Sequence, residues 1–146
     1  MKEHRKKSIR YVDANVFLRY LTEDDPQKAS HVERLLKKVE TGDECLYLPI
    51  LVFADIVWIM EKYYKMPRPI IRQTLESILS LQGIICDEKD ILFEALALYE
   101  EKNIDLTDSM VIAHMRYSGV KEIFTYDKDF DNEENIIRLE PPAFDE

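Results

Sequence analysis

Short β-type runs alternate with longer helical runs along the whole chain. This alternation constrains the fold more than any other feature. Residues 8–13 (SIRYVD), 45–48 (CLYL), 84–86 (IIC) and 121–125 (KEIFT) read as strands, with 136–139 (IIRL) as a fifth. Between them lie helical segments over 16–21, 26–40, 49–64, 70–81, 88–102 and 106–117. In the second of these, Ala29, Val32, Leu35, Leu36 and Val39 fall on one stripe. The breaks have local causes. Asn15 is a cap residue ahead of the first helix, and Pro26 opens the second. Gly42 and Gly119 end helices, and Pro67 and Pro69 interrupt the run after residue 64. Strands of a few residues separated by helices predict an α/β fold with a parallel sheet. In such sheets, functional groups gather at the carboxyl ends of strands.

The chain has 146 residues and no internal repeat or linker, so 1–146 is read as one domain. Within it, residues 1–7 are read as a basic leader and 140–146 as a tail. Cys45 and Cys86 are too few for a disulfide framework and lack zinc spacing; both are read as buried thiols, and Trp58 as a core or interface residue. The basic start runs into a strand, not an apolar signal segment, and 46–60 is too short to span a membrane and contains Pro49 and Asp55. The expectation is a soluble protein of the cytoplasm. Its net charge is −9, from 29 acidic and 20 basic residues. That argues against bulk electrostatic attraction to nucleic acid. It leaves acid available for a metal site.

Four acids stand at element ends or in otherwise apolar surroundings. Asp13 ends the first strand. Asp55 is the one charge in LYLPILVFADIVWIM (46–60), on the helical face of Val52, Ile56 and Ile59, where an unpaired carboxylate costs several kcal/mol of desolvation. Asp108 opens a helix on the side of Val111, Ile112 and Met115. Asp127 follows the fourth strand, with Asp129 and Asp131 in the same loop. Each has a structural reading as a cap, a surface acid or a solvated turn. Together they form the pattern of a carboxylate cluster drawn from distant parts of the chain. Clustered carboxylates hold protons unless a cation is present. Oxygen ligands without Cys or His suit Mg²⁺ or Mn²⁺.

These residues resemble the PIN domain, the nuclease fold of many VapC-type toxins of toxin–antitoxin pairs. The resemblance rests on YVDANVFLRYL (11–21), LPILVFADIVWIM (48–60), DLTDSMVIAHMRYSG (105–119) and FTYDKDF (124–130). It implies a three-layer α/β/α architecture with a short, mainly parallel central sheet. The family's four acids fall on Asp13, Asp55, Asp108 and Asp127, with Asn15 and Thr125 as supporting polar groups. The second acid is usually Glu in this family, and here it is one methylene shorter. Asp129 is a possible substitute ligand for Asp127.

The activity implied is metal-dependent hydrolysis of single-stranded or looped RNA, leaving a 3′-hydroxyl and a 5′-phosphate. Asp13, Asp108 and Asp127 would hold Mg²⁺ or Mn²⁺, and Asp55 would bind metal or act as a base. The resemblance also implies an antitoxin partner and a homodimer, with 58–66 as part of an interaction face. Lys62, Lys65, Arg68 and Arg72, interleaved with Tyr63 and Tyr64, are candidate RNA contacts. Packing is the commoner role of such tyrosines. His4, His31 and His114 are read as surface or packed residues. Two rival readings are a PIN-fold module that binds RNA or protein without cutting, and an aspartyl-phosphate phosphatase suggested by Asp13 and Asn15. The second lacks an acid at position 15 and an obvious downstream Lys.

Overall fold

Among the described residues every strand pairing is parallel, as the alternation requires. A computed structural model describes residues 8–142. The order is β1 (Ile9–Tyr11), α1 (Ala14–Thr22), α2 (Pro26–Thr41), β2 (Cys45–Tyr47), α3 (Ile50–Lys62), α4 (Arg68–Leu79) and β3 (Ile84–Ile85). There follow α5 (Lys89–Glu101), α6 (Leu106–Ser118), β4 (Glu122–Phe124), a 3₁₀ turn over Lys128–Asn132 and β5 (Ile137–Leu139). β2 lies between β1 and β3, with Tyr11 opposite Tyr47 and Tyr47 opposite Ile85. β4 pairs with β5, with Phe124 opposite Leu139. The architecture is the expected α/β/α class with short parallel strands. Among the described residues the sheet is hydrogen-bonded as two pieces, of three strands and two. The leader and His4 lie outside the described residues.

The element ends follow local chemistry, with two differences from the sequence reading. Helix α1 is capped by Asp13, whose carboxylate accepts the Ala14 N–H at 2.7 Å, so Asn15 lies inside the helix. Helix α4 starts at Arg68, two residues early, because Pro69 falls in its first turn, where no intrahelical N–H donor is needed. Gly42 closes α2 with φ +82°. Gly83 is required for another reason: a Cβ there would overlap the Glu44 carbonyl and come within 2.9 Å of Val39 O.

Helix α5 explains the packing. Its Leu92, Leu96 and Tyr99 belong to a large core with Val39, Leu48, Phe53, Ile56, Ile71 and Leu75. Its Ile91, Ala95 and Leu98 belong to a smaller core with Ile112, Ala113 and Phe130. Two apolar stripes on one helix therefore join the halves. Fully burying one such Leu, Ile or Phe contributes about 1.5–3 kcal/mol. Glu133 adds a polar tie. Its side chain is 3% exposed and meets Arg116 at 3.1 Å and Lys102 at 3.5 Å. Cys45 and Cys86 are half-buried free thiols, not fully buried ones. Burial pushes the Cys86 thiol up, with Asp87 next in effect.

Candidate active site

Helices α3 and α6 place Asp55 and Asp108 on one cleft of about 470 Å³. Asp55 stands on the α3 stripe of Leu51, Trp58 and Lys62, and Asp108 in the first turn of α6. Glu61, Asp105, Leu106 and Thr107 line the same space. Helical periodicity alone predicts Asp55 along the buried face of α3. The structure turns it the other way: Ile56 is fully buried and Asp55 exposed. The reason is the desolvation cost itself, since an ionised carboxylate is cheaper on the cleft wall than among Phe53, Ile56 and Met60. Trp58 is likewise 59% exposed on the cleft, not part of the core.

Asp108 is partly buried, as its apolar helix side implied. Burial holds its carboxyl above the ordinary range, and the negative charges of Asp127, Asp105 and Asp129 push it in the same direction. Asp127 thus acts on Asp108 across the fold. It caps the 3₁₀ turn, its carboxylate accepting the Asp129 N–H at 2.9 Å. Thr125 supports it through the backbone, its hydroxyl accepting the Asp127 N–H at 3.0 Å. Ser109, fully buried, donates its hydroxyl to Asp105 O at 2.9 Å and tightens the first turn of α6.

Asp13 is exposed at the end of β1 and is not among the residues lining the cleft. Asn15 is exposed beside it. Among the described residues, no three His, Cys, Asp or Glu side chains stand close enough together to hold a metal ion. The structure therefore joins Asp55 with Asp108 on one cleft, and Asp108 electrostatically with Asp127 and Asp129. The donors around Asp108 are hard oxygens in excess of positive charge, which is the chemistry that suits Mg²⁺ or Mn²⁺.

The four basic residues named from sequence divide into two pairs. Lys62 lines the cleft and Lys65 is exposed. The guanidinium groups of Arg68 and Arg72 face the protein's own acids instead. Arg68 meets Glu61 at 3.2 Å, and Arg72 meets Glu76 at 2.7 Å and Glu101 at 3.1 Å. Tyr63 is exposed and packs edge-on against Tyr64, with ring centroids 4.9 Å apart. His31 is exposed, and His114 lies 3.1 Å from Glu88. Glu61 and Asp105 were not named as site residues. Glu61 carries a signal in its spacing, one helical turn after the cleft residue Trp58. Asp105 was legible only as the first acid of Asp105-Leu-Thr-Asp108.

Among the described residues, no helix is long and apolar enough to cross a membrane. A VapC ribonuclease of Aquifex aeolicus (strain VF5) is 24% identical over 122 residues, covering 84% of this chain and 90% of that protein. The solved structure of VapBC2 from Rickettsia felis bound to a DNA fragment from their promoter covers 91% of this chain and 98% of its own. It does so at 18% identity and a TM-score of 0.37. The family model of the PIN domain matches residues 10–134, which takes in every strand-end acid described above, and the chain belongs to the PIN domain family.

Proposed function

We propose that the chain is a metal-dependent ribonuclease that hydrolyses phosphodiester bonds in single-stranded or looped RNA. The observation that carries this is the shared cleft of Asp55 and Asp108, in a PIN domain, with Asp108 under pressure from burial and from Asp127, Asp105 and Asp129. Asp13, Asp108 and Asp127 are the proposed holders of Mg²⁺ or Mn²⁺, with Asp129 as a substitute for Asp127. Such an ion, when bound, supplies Lewis-acid stabilisation of charge on the phosphoryl oxygens. The chain's own residues do the rest. Asp55 takes a proton from the attacking water. Thr125 fixes the backbone that presents Asp127, and Asn15 hydrogen-bonds the ligand at Asp13. Lys62, on the cleft, and Lys65 meet substrate phosphates.

The test is cleavage of single-stranded and duplex RNA with Mg²⁺, Mn²⁺ or EDTA. Cleavage of the single strand should need the cation and disappear in Asp13→Asn and Asp108→Asn variants that keep the parent circular dichroism. Undiminished cleavage in EDTA would end the proposal.

The same reading makes the chain the toxin of a toxin–antitoxin pair acting in the cytoplasm. Its supports are the PIN family and the name of the Aquifex relative. An antitoxin partner and a homodimer belong to it. Trp58 and Tyr63, 59% and 75% exposed on one helical segment, offer part of a contact face. Co-purification with the product of an adjacent small gene, and the molar mass in solution, test these two parts. A module that binds RNA or protein without cutting is favoured by one observation: among the described residues, no three His, Cys, Asp or Glu side chains stand close enough together to hold a metal ion. Calorimetry with Mn²⁺ decides between them, since the non-cutting module predicts no heat of binding.

A further inference from the structure

Arg68, the first residue of α4, makes contacts that tie three parts of the chain together. Its Nη1 donates to Tyr99 O at 2.7 Å and to Ile104 O at 2.6 Å. Its Nη2 lies 3.2 Å from Glu61 and 3.9 Å from Asp105. Its Cζ sits 4.1 Å from the centre of the fully buried Tyr99 ring. Glu61 belongs to α3, Tyr99 to α5, and Ile104 and Asp105 to the connection that starts α6. Tyr99 O is among the last carbonyls of α5, which have no partner inside their own helix, and a cation at a helix carboxyl end is favoured by its dipole.

We propose that Arg68 is a positioning residue for the cleft: it holds the start of α6, with Asp108, in fixed relation to α3, with Asp55. The inference rests on the nuclease reading for its use, though the geometry stands without it. Asp105 is 77% exposed, so its ion pair adds little; the weight falls on the two carbonyls and on Glu61. The two carbonyls accept from Nη1, and Glu61 and Asp105 lie beside Nη2. The guanidinium reaches them through separate N–H donors, while a lysine ammonium is a single point at the end of a flexible stem. Losing the arginine frees the 104–105 connection from Tyr99 and Glu61 together. Asp108 lies on the next turn.

The experiment compares the parent with Arg68→Lys, Arg68→Met and Ile78→Val. Ile78 is a core residue of the same helix, away from the cleft, and controls for general loss of stability. Two measurements are made: amide hydrogen exchange in the metal-free protein, and Mn²⁺ affinity by electron paramagnetic resonance. Exchange over 104–109 should quicken in Arg68→Lys while the 71–79 amides keep the parent rate, and Mn²⁺ should bind roughly 10-fold to 100-fold more weakly. Ile78→Val should change neither. If Arg68→Met does not fold, Arg68→Lys and Glu61→Gln carry the same test. Parent rates over 104–109 in folded Arg68→Lys overturn the proposal. So does parent Mn²⁺ affinity in that variant. If the parent takes up no Mn²⁺ while Arg68→Lys still loosens 104–109, the nuclease reading fails and the positioning role stands.

Discussion

Asp55 on α3 and Asp108 on α6 line one cleft, the first exposed and the second partly buried. That difference separates their chemistry. Asp108 feels burial and the charges of Asp127, Asp105 and Asp129, and its carboxyl is held above the ordinary range. Asp55 is open to water.

The folded chain binds the Asp108 proton more tightly than the unfolded chain does. This favours folding below the ordinary Asp value of about 3.9, and the advantage is lost as pH rises through the folded-state value. Above that point ionised Asp108 costs stability. Asp108→Asn should therefore raise the melting temperature of metal-free protein near neutral pH, with the gap closing as pH falls towards about 4. Mn²⁺ should raise the melting temperature of the parent more than that of the variant. Calorimetric scans across that pH range check both, and a variant that melts below the parent at neutral pH contradicts the account.

Removing the proposed base, Asp55, should slow cleavage and spare the fold. Asp55→Asn is expected to lower single-turnover RNA cleavage by about 10²-fold or more. Because Asp55 is exposed, its melting temperature should stay within about a degree of the parent, as for surface substitutions generally. Asp55→Glu keeps a carboxylate on the open side of the helix and should retain cleavage within about tenfold of the parent. Equal rates in Asp55→Asn and the parent would remove Asp55 from the mechanism.

Glu133 is the buried acid that ties β5 and the 3₁₀ turn to α5 and α6. Its side chain is 3% exposed, whereas Arg116 and Lys102 are 39% and 45% exposed. Those partners can turn to water when it is removed, so the loss is smaller than for a fully enclosed pair. Glu133→Ala should destabilise by about 1–3 kcal/mol, the scale of hydrogen bonds to charged groups. Urea titration gives the value, and no change in midpoint would mean that the buried carboxylate contributes nothing.

Gly83 is needed for space. Its N–H donates to Val39 O at 2.8 Å and its carbonyl accepts from Leu46 N at 2.7 Å, drawing the backbones together. A Cβ would run into the Glu44 carbonyl, and both obstacles are backbone. Gly83→Ala should destabilise by more than about 3 kcal/mol, in the range reserved for steric faults in the core. A soluble variant with the parent's melting temperature would show that the β2–β3 connection can give way.

Much of the fold was written locally. Capping and stop residues such as Pro26, Gly42 and Gly119 placed helix ends, and apolar spacing marked the α2 stripe, because these signals act within one or two turns of the chain. Strands and helices in alternation required parallel pairing. Long-range packing decided the rest. It turned Asp55 to the cleft, away from Ile56, because burial of its charge is costly. It consumed Arg68 and Arg72 in ion pairs, and set Asp127 and Asp129 within range of Asp108. A sequence lists charges in order along the chain. Their energies depend on distance and burial, and those exist only once the helices have packed.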